Sequence, residues 1–273
     1  MKPRRIAILV HEADTQTGLG NPGVANLVPF WMEDGHTVIP LFGTGTFVKA
    51  DLILVHVDLS VVPEKYVEFA SRYPIVLNGR VRDIRKSTFS RGLLRPGDSW
   101  TGPVIVKSDR NFGGFPEAER GIHRLDGGGL RPHFKNSLEY ELYDRLGDVP
   151  SDRFGSPDLV VQAFMPEMEE GRYFLRTYSF LGDRQTTQRV GSNHPIVKGL
   201  TATSFEPVIP HPDIVALRHQ MGFDYGKFDY VEQDKEAIIL DINKTPGSIP
   251  SASPRIIEAR RIRAKGLYAY FKD

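Results

Sequence analysis

Residues Arg5 to Val10 (RIAILV) form a near-continuous apolar run close to the start of the chain. This run constrains the fold more than any other feature. A strand without polar alternation is buried on both faces, as in a parallel sheet covered by helices on each side. Shorter runs follow at His36–Leu41 (HTVIPL), Ala50–Val57 (ADLILVHV) and Pro74–Leu77 (PIVL), with helical stretches expected at Val24–Asp34 and Pro63–Tyr73. Strands alternating with helices predict an open parallel sheet with helices on both faces. The 273 residues, 40% hydrophobic and 25% charged, suffice for about two domains and a core that needs no staples. Lys and Arg total 35 against 34 Asp and Glu, a net charge of +1 that argues against broad adhesion to nucleic acid or anionic membrane. Cysteine is absent, which excludes disulfides, thiolate zinc sites and cysteine nucleophiles. No apolar run approaches the ~18–20 residues of a membrane span. The basic start leads directly into a short strand and then Glu12 and Asp14, so no signal peptide is expected and the location expected is cytoplasmic.

The texture changes after Asn78. Strands are expected at Pro103–Lys107 (PVIVK), Leu159–Phe164 (LVVQAF) and Tyr173–Leu181, and as a pair at Lys227–Glu232 and Ala237–Ile242. Helices are expected at Lys86–Leu94, at Asp213–Met221 with Asp213 as N-cap, and at the Arg-rich Pro254–Phe271. Residues 117–135, with glycines at 127–129, read as loop.

Gly18, Gly20 and Gly23 spell G-x-G-x-x-G between a strand and a helix, a dinucleotide-binding signature. The confirming carboxylate at the end of the second strand is missing, since that strand ends in Leu41-Phe42-Gly43. Pro22 also removes an amide that a phosphate would use. Turn chemistry is the preferred reading over NAD(P) binding. His11, Glu12, Asp14 and Gln16, beyond the first strand, read as a polar loop rather than substrate contacts.

Four later segments carry more. Lys107 ends a strand and precedes the Gly113-Gly114 pair, so an ammonium and backbone amides can meet one phosphate. Val160 to Met165 is an apolar wall suited to a purine, followed by Glu167, Glu169 and Glu170, one of which can hold a ribose. Arg172, Arg176, Arg189, Asn193 and Lys198 suit a carboxylate or phosphate. Asp229 and Asp241 stand on two strands that can pair, and Asn243 points the same way as Asp241. Two carboxylates and an amide oxygen are hard ligands that fit Mg²⁺.

In this order the segments resemble the ATP-grasp superfamily, which includes carboxylate–amine ligases such as D-alanine–D-alanine ligase, glutathione synthetase and the ribosomal-protein glutamate ligases. PVIVK with its glycine loop resembles the phosphate-binding element, VVQAFMPE the adenine connector, and GKFDYV with IILDINKTPG the metal-binding strand pair. The resemblance spans roughly residues 75 to 250. It implies a two-lobed ATP-binding fold after the N-terminal sheet, α/β at first and α+β in the C-terminal part. The division expected is 1–80, 81–158 and 159–273. It implies that Lys86 and Lys107 contact ATP phosphates, with Gly113 and Gly114 closing over them. Gln162 would face the adenine amino group, Phe164 and Met165 would line the base, and Glu169 would hold the ribose. Lys198 would reach the γ-phosphate. Asp229, Asp241 and Asn243 would hold one or two Mg²⁺ ions, with Mn²⁺ as an alternative. Lys227, Arg189 and Arg176 would act on the transferred phosphoryl group or the acid substrate.

The activity implied is ATP-dependent ligation of a carboxylate to an amine through an acylphosphate. The substrates would be small molecules or peptides, with no nucleic acid or membrane partner. Many such enzymes are homodimers. An ATP-grasp kinase and a non-catalytic nucleotide-binding protein are the alternatives. Asp241 departs from the family's usual Glu by one methylene, which leaves open whether one ion or two are held. The loop SDRNFGG departs from the usual Ser/Gly-rich form.

Overall fold

The apolar run becomes strand β1 (Arg5–Val10), in which Ile6 to Val10 are fully buried. The computed structural model describes residues 2–16, 19, 22–122, 140–247 and 253–271. Gly18, Gly20 and the glycines at 127–129 lie outside them. β1 pairs in parallel with β2 (Thr37–Phe42) and β3 (Leu52–Val55), and β3 with β4 (Val76–Leu77), in the order β2-β1-β3-β4. Ile6, Ile8, Leu52 and Leu54 pack on one side against Phe30 and Trp31 of the helix Val28–Glu33. Ala7, Leu9, Ile53 and Val55 pack on the other side against Tyr66 and Phe69 of the helix Glu64–Ala70. Burial on both sides is why the strand sequence shows no alternation. The single helix expected over Val24–Asp34 is two short ones, Pro22–Ala25 and Val28–Glu33. Pro29 lacks the amide needed to continue the first into the second.

Two antiparallel sheets follow. In the smaller, β5 (Val104–Ser108) lies between β6 (Glu141–Tyr143) and β7 (Leu159–Ala163). The larger sheet holds β8 (Glu167–Glu169), β9 (Arg172–Leu181), β10 (Arg184–Ser192), β11 (Ala202–Val208), β12 (Tyr225–Gln233) and β13 (Glu236–Asn243). Its order is β11-β10-β9-β12-β13, with β8 paired to the start of β9. The chain is therefore α/β in its first part and α+β afterwards. No helix among the described residues is long and apolar enough to cross a membrane.

The helix after β11 spans Pro212–Met221, and its N-cap is His211 rather than Asp213. His211 Nδ1 accepts from the Asp213 amide at 3.2 Å, and Pro212 takes the first helical position. The final helix also differs from expectation. It is α-helical over Pro254–Ala264 and tightens to a 3₁₀ helix over Lys265–Tyr270. Ala264 and Leu267 share the apolar cluster of β1 and the helix Val28–Glu33, and Trp31 Nε1 donates to the Ala264 carbonyl at 2.9 Å. The chain's last helical segment is thus packed on its first sheet.

The β12–β13 hairpin sets the geometry of everything below. Asp234 and Lys235 both have positive φ, 50° and 70°, as a tight two-residue turn of the primed type requires. From there Glu232 faces Ala237, Val231 faces Ile238 and Tyr230 faces Ile239. A regular ladder would next set Asp229 against Leu240. The register instead shifts by one residue, and Asp229 faces Asp241. This is a β-bulge, one extra residue in β13. Phe228, Tyr230, Ile239 and Ile242 enter a core on one side, while Leu240 and Asp241 both face the other.

A side chain on Gly266 would place its Cβ 1.8 Å from the Leu181 carbonyl oxygen, so backbone must move. Gly266→Ala is expected to destabilise the protein by about 2 kcal/mol, lowering Tm by roughly 5 °C in a thermal melt. An unchanged Tm would contradict this packing.

Candidate functional site

Strand alternation and the bulge bring residues distant in sequence onto one cleft between the two antiparallel sheets. In β5, Val104 and Val106 enter a core, while Ile105 and Lys107 line the cleft. From the large sheet come Leu175, Asp229, Val231, Leu240 and Asp241. The connector after β7 adds Ala163, Phe164, Met165 and Pro166 as an apolar wall, and Pro195 to Lys198 close the opposite side. Phe174, Lys86 and Tyr140 complete the lining. Of the sequence-nominated residues, Lys86, Lys107, Phe164, Met165, Lys198, Asp229 and Asp241 meet here.

Charge dominates one end. Lys86 Nζ lies 3.2 Å from Asp241 Oδ1, and its side chain is 5% exposed. Lys227 Nζ lies 2.9 Å from Asp229 Oδ2. Lys107 is buried, and desolvation, helped by the neighbouring Lys86, pulls its ammonium down to about 7. Burial works against ionised Asp241, but Lys86, Lys198 and Lys107 outweigh it and hold the carboxyl below its usual range. Burial likewise opposes the Lys227 ammonium, but Asp229 outweighs it and raises the pKa.

These lysines are fixed by neighbours. Lys86 begins a one-turn helix, Lys86–Phe89. Asp109, just past β5, holds that turn: its carbonyl accepts from Lys86 N at 2.9 Å, and its carboxylate accepts from Ser87 N at 2.7 Å and Ser87 Oγ at 2.8 Å. Lys198 sits in a turn in which Thr201 Oγ1 accepts from the Lys198 amide at 2.9 Å. Ile196 N donates to His194 Nδ1 at 3.0 Å in the same segment. Sequence reading missed Tyr140, Asp109 and Thr201. Only Asp109 carried a signal, as an acid in the loop after the strand lysine.

Several expectations are corrected. Arg176, Arg189 and Glu169 do not line the cleft. β9 pairs Arg176 with Tyr230 and Thr177 with Asp229, so alternation puts Arg176 on the sheet face opposite to Asp229. Arg176 Nε donates to Glu167 Oε2 at 3.0 Å and Nη1 to Glu232 Oε1 at 2.8 Å. Arg189 Nε donates to Glu167 Oε1 at 2.7 Å and Nη2 to Glu169 Oε2 at 2.7 Å. Both guanidiniums are therefore held by carboxylates of the sheet. Gln162 lies on the face of its pair partner Ile105 but is not among the lining residues, and its Nε2 donates to Ser90 Oγ at 2.7 Å. Gly113 and Gly114 have positive φ, 69° and 80°, and also do not line the cleft. Their turn is tied to the segment after β3, where Ser60 Oγ accepts from Asn111 N at 2.8 Å. Gly23, the described end of the glycine motif, lies against Pro246, whose oxygen is 1.8 Å from where a Cβ would stand. Of the polar loop after β1, Glu12 is engaged by Lys65 and Tyr66, and Asp14 pairs with Arg120 at 2.6 Å.

Asn243 pairs across the hairpin with Lys227, and its Oδ1 accepts from Thr245 N at 2.8 Å. A divalent cation fits this end of the cleft. Asp229 Oδ1 is buried and has no hydrogen-bond partner, and every side-chain donor offered is oxygen. No group of three or more His, Cys, Asp or Glu gathers among the described residues. Such a donor set suits Mg²⁺, which keeps waters and takes substrate phosphates as ligands.

No protein-family model matches the chain, and no curated protein sequence matches it significantly. Solved structures do. D-alanine–D-alanine ligase from Bacillus anthracis aligns with a TM-score of 0.53 at 13% identity, over 98% of this chain and 96% of that one. The same enzyme complexed with ATP aligns at 0.50 and 13%, over 97% and 94%. A RimK-domain ATP-grasp protein from Sphaerobacter thermophilus aligns at 0.50 and 11%, over 97% and 98%. The chain has the ATP-grasp fold.

Glu167 is buried between two guanidiniums, and removing one partner of such a pair strands the remaining charge. Glu167→Ala is expected to lower unfolding stability by about 3 kcal/mol in urea melts while nucleotide affinity of the folded protein stays within about twofold. Loss of nucleotide binding at unchanged stability would return these arginines to the site.

Proposed function

We propose that the protein is an ATP- and Mg²⁺-dependent ligase that joins a carboxylate to an amine, drawn from small molecules or peptides. The observation that carries this reading is the meeting, on one cleft, of the Asp229–Asp241 pair with Lys86, Lys107 and Lys198 beside an apolar wall. The fold it shares with a ligase complexed with ATP supports the same reading.

In this reading the base rests between Phe164, Met165 and Leu240, and the triphosphate runs toward the charged end. Lys107 and Lys198 take the phosphate oxygens. Mg²⁺, held by Asp229 with Asn243 and Asp241 beside it, would supply positive charge to the transferring phosphoryl group; Mn²⁺ suits the same oxygens. Lys227, paired with Asp229, adds charge at the edge. A carboxylate oxygen of the acid attacks the γ-phosphorus and ADP leaves, giving an acylphosphate. The amine nitrogen then attacks the acyl carbon. The tetrahedral intermediate expels inorganic phosphate, and the nitrogen loses a proton to give the amide. Phosphoryl transfer asks a protein chiefly for position and positive charge, so no side-chain nucleophile is required.

The test is isotopic. With an acid labelled with ¹⁸O in its carboxylate and a matching amine, one label is expected in the phosphate released beside ADP and amide. Transfer of the γ-phosphate to an alcohol without free phosphate would favour a kinase and contradict the reading. Asp229→Asn is expected to reduce turnover by at least about 100-fold in a variant that still unfolds in a cooperative melt.

Lys107 supplies a pH test. With its pKa lowered to about 7, the side chain is largely neutral at pH 8, and a phosphate favours the ammonium. Nucleotide binding at pH 8 is expected to take up close to one proton, and at pH 6 almost none. Calorimetry in buffers of different ionisation enthalpy measures this, and Lys107→Met should abolish the uptake. Equal uptake in the variant would remove Lys107 from the phosphates.

A further inference from the structure

We propose that Asp58, at the end of the N-terminal sheet, is a positioning residue of the cation site: it takes the Thr245 hydroxyl proton and so leaves Asn243 Oδ1 a lone pair for the divalent cation. The proposal rests on the nucleotide and metal reading above, and adds to it a residue that acts through Thr245 rather than by contact with the cation.

Asn243 ends β13, and the chain runs on through Lys244 and Thr245 to the N-terminal sheet. Thr245 offers Asn243 Oδ1 two donors, its amide at 2.8 Å and its hydroxyl at 3.3 Å. A carbonyl oxygen has two lone pairs, so the two bonds together would fill it. The hydroxyl, however, has a second acceptor. Asp58 Oδ1, just past β3 and 187 residues away in sequence, lies closer to Thr245 Oγ1 than Asn243 Oδ1 does.

A hydroxyl carries one proton, so these two acceptors compete for it. The shorter bond, to a carboxylate, is the stronger. Burial pushes the Asp58 pKa up, while Thr245, Arg120 and Lys244 work to keep the carboxylate ionised. The proton therefore goes to Asp58. Asn243 Oδ1 is left with the amide bond alone and one open lone pair.

The segment is held in place while this competition is settled. Lys244 and Thr245 are each 1% exposed, and Pro246 lies against Gly23. Without the Asp58 carboxylate, the hydroxyl turns to the acceptor already within reach, because a buried donor left unpaired is costly. The amide and hydroxyl of Thr245 then saturate Asn243 Oδ1, and the cation loses that oxygen. Asp229 and Asp241 are untouched, so cation binding weakens without vanishing.

The test is the Mn²⁺ affinity of the complex with a non-hydrolysable ATP analogue, read from free Mn²⁺ by electron paramagnetic resonance. Asp58→Ala is expected to weaken Mn²⁺ binding about tenfold, and adding Thr245→Val to bring it back to within about twofold of wild type. A role confined to holding the sheets together predicts the opposite, since the second substitution would add to the damage. Asp58→Asn is isosteric and keeps a neutral acceptor. It is expected to weaken binding about threefold, again reversed by Thr245→Val. Unchanged affinity in both Asp58 variants, or double variants no better than the singles, would overturn the proposal while a loss in Asn243→Ala leaves the metal reading standing. Unchanged affinity in Asn243→Ala, or no Mn²⁺ bound with the analogue by the wild-type chain, would overturn both.

Discussion

One extra residue in one strand is what the site depends on. Without the bulge at Leu240–Asp241, the hairpin register would place Asp241 on the same side as Phe228, within an aromatic core. An isolated carboxylate there would cost several kcal/mol or be forced to protonate. The bulge turns Asp241 toward Asp229 and lets Leu240 line the cleft beside it. The turn at Asp234–Lys235 fixes the count from which this shift is measured.

Around that pair the chain solves a charge problem in two ways on two faces of one sheet. On the cleft face, lysines from separate segments surround two aspartates, so the cations outnumber the anions and an anionic ligand restores balance. On the other face, Arg176 and Arg189 share Glu167, Glu232 and Glu169, and the charges are closed among themselves. The first arrangement keeps an open valence and is suited to binding. The second has none left and serves to hold β8, β9, β10 and β12 together.

Much of this was legible in the sequence. The unalternating run RIAILV required a covered parallel strand, and the apolar residues before Asp241 marked an acid at a buried strand's end. Lys107 was nominated from its place at the end of a strand, and Phe164, Met165 and Lys198 from the family resemblance; all four line the cleft. Arg176 and Arg189 pair with carboxylates of the sheet and stand outside the cleft lining, because a cation's partner is set by pairing register across strands, which residue spacing along one strand does not reveal. Gln162 donates its amide to Ser90, from a segment more than seventy residues away, a contact that spacing along the chain does not show. The loop glycines at 113 and 114 have the left-handed backbone their type suggests, yet Ser60 docks the turn against the N-terminal sheet. Even the facing of Asp229 and Asp241, expected from alternation, depends on a bulge that no residue type announces.

The most direct measurement is a crystal structure with an ATP analogue and Mn²⁺, using anomalous scattering to locate the metal. The account predicts the base against Phe164 and Met165, phosphate oxygens within hydrogen-bond distance of Lys107 and Lys198, and an anomalous peak at coordination distance from Asp229 Oδ1. A nucleotide bound outside this cleft, or a metal peak remote from Asp229, would contradict it.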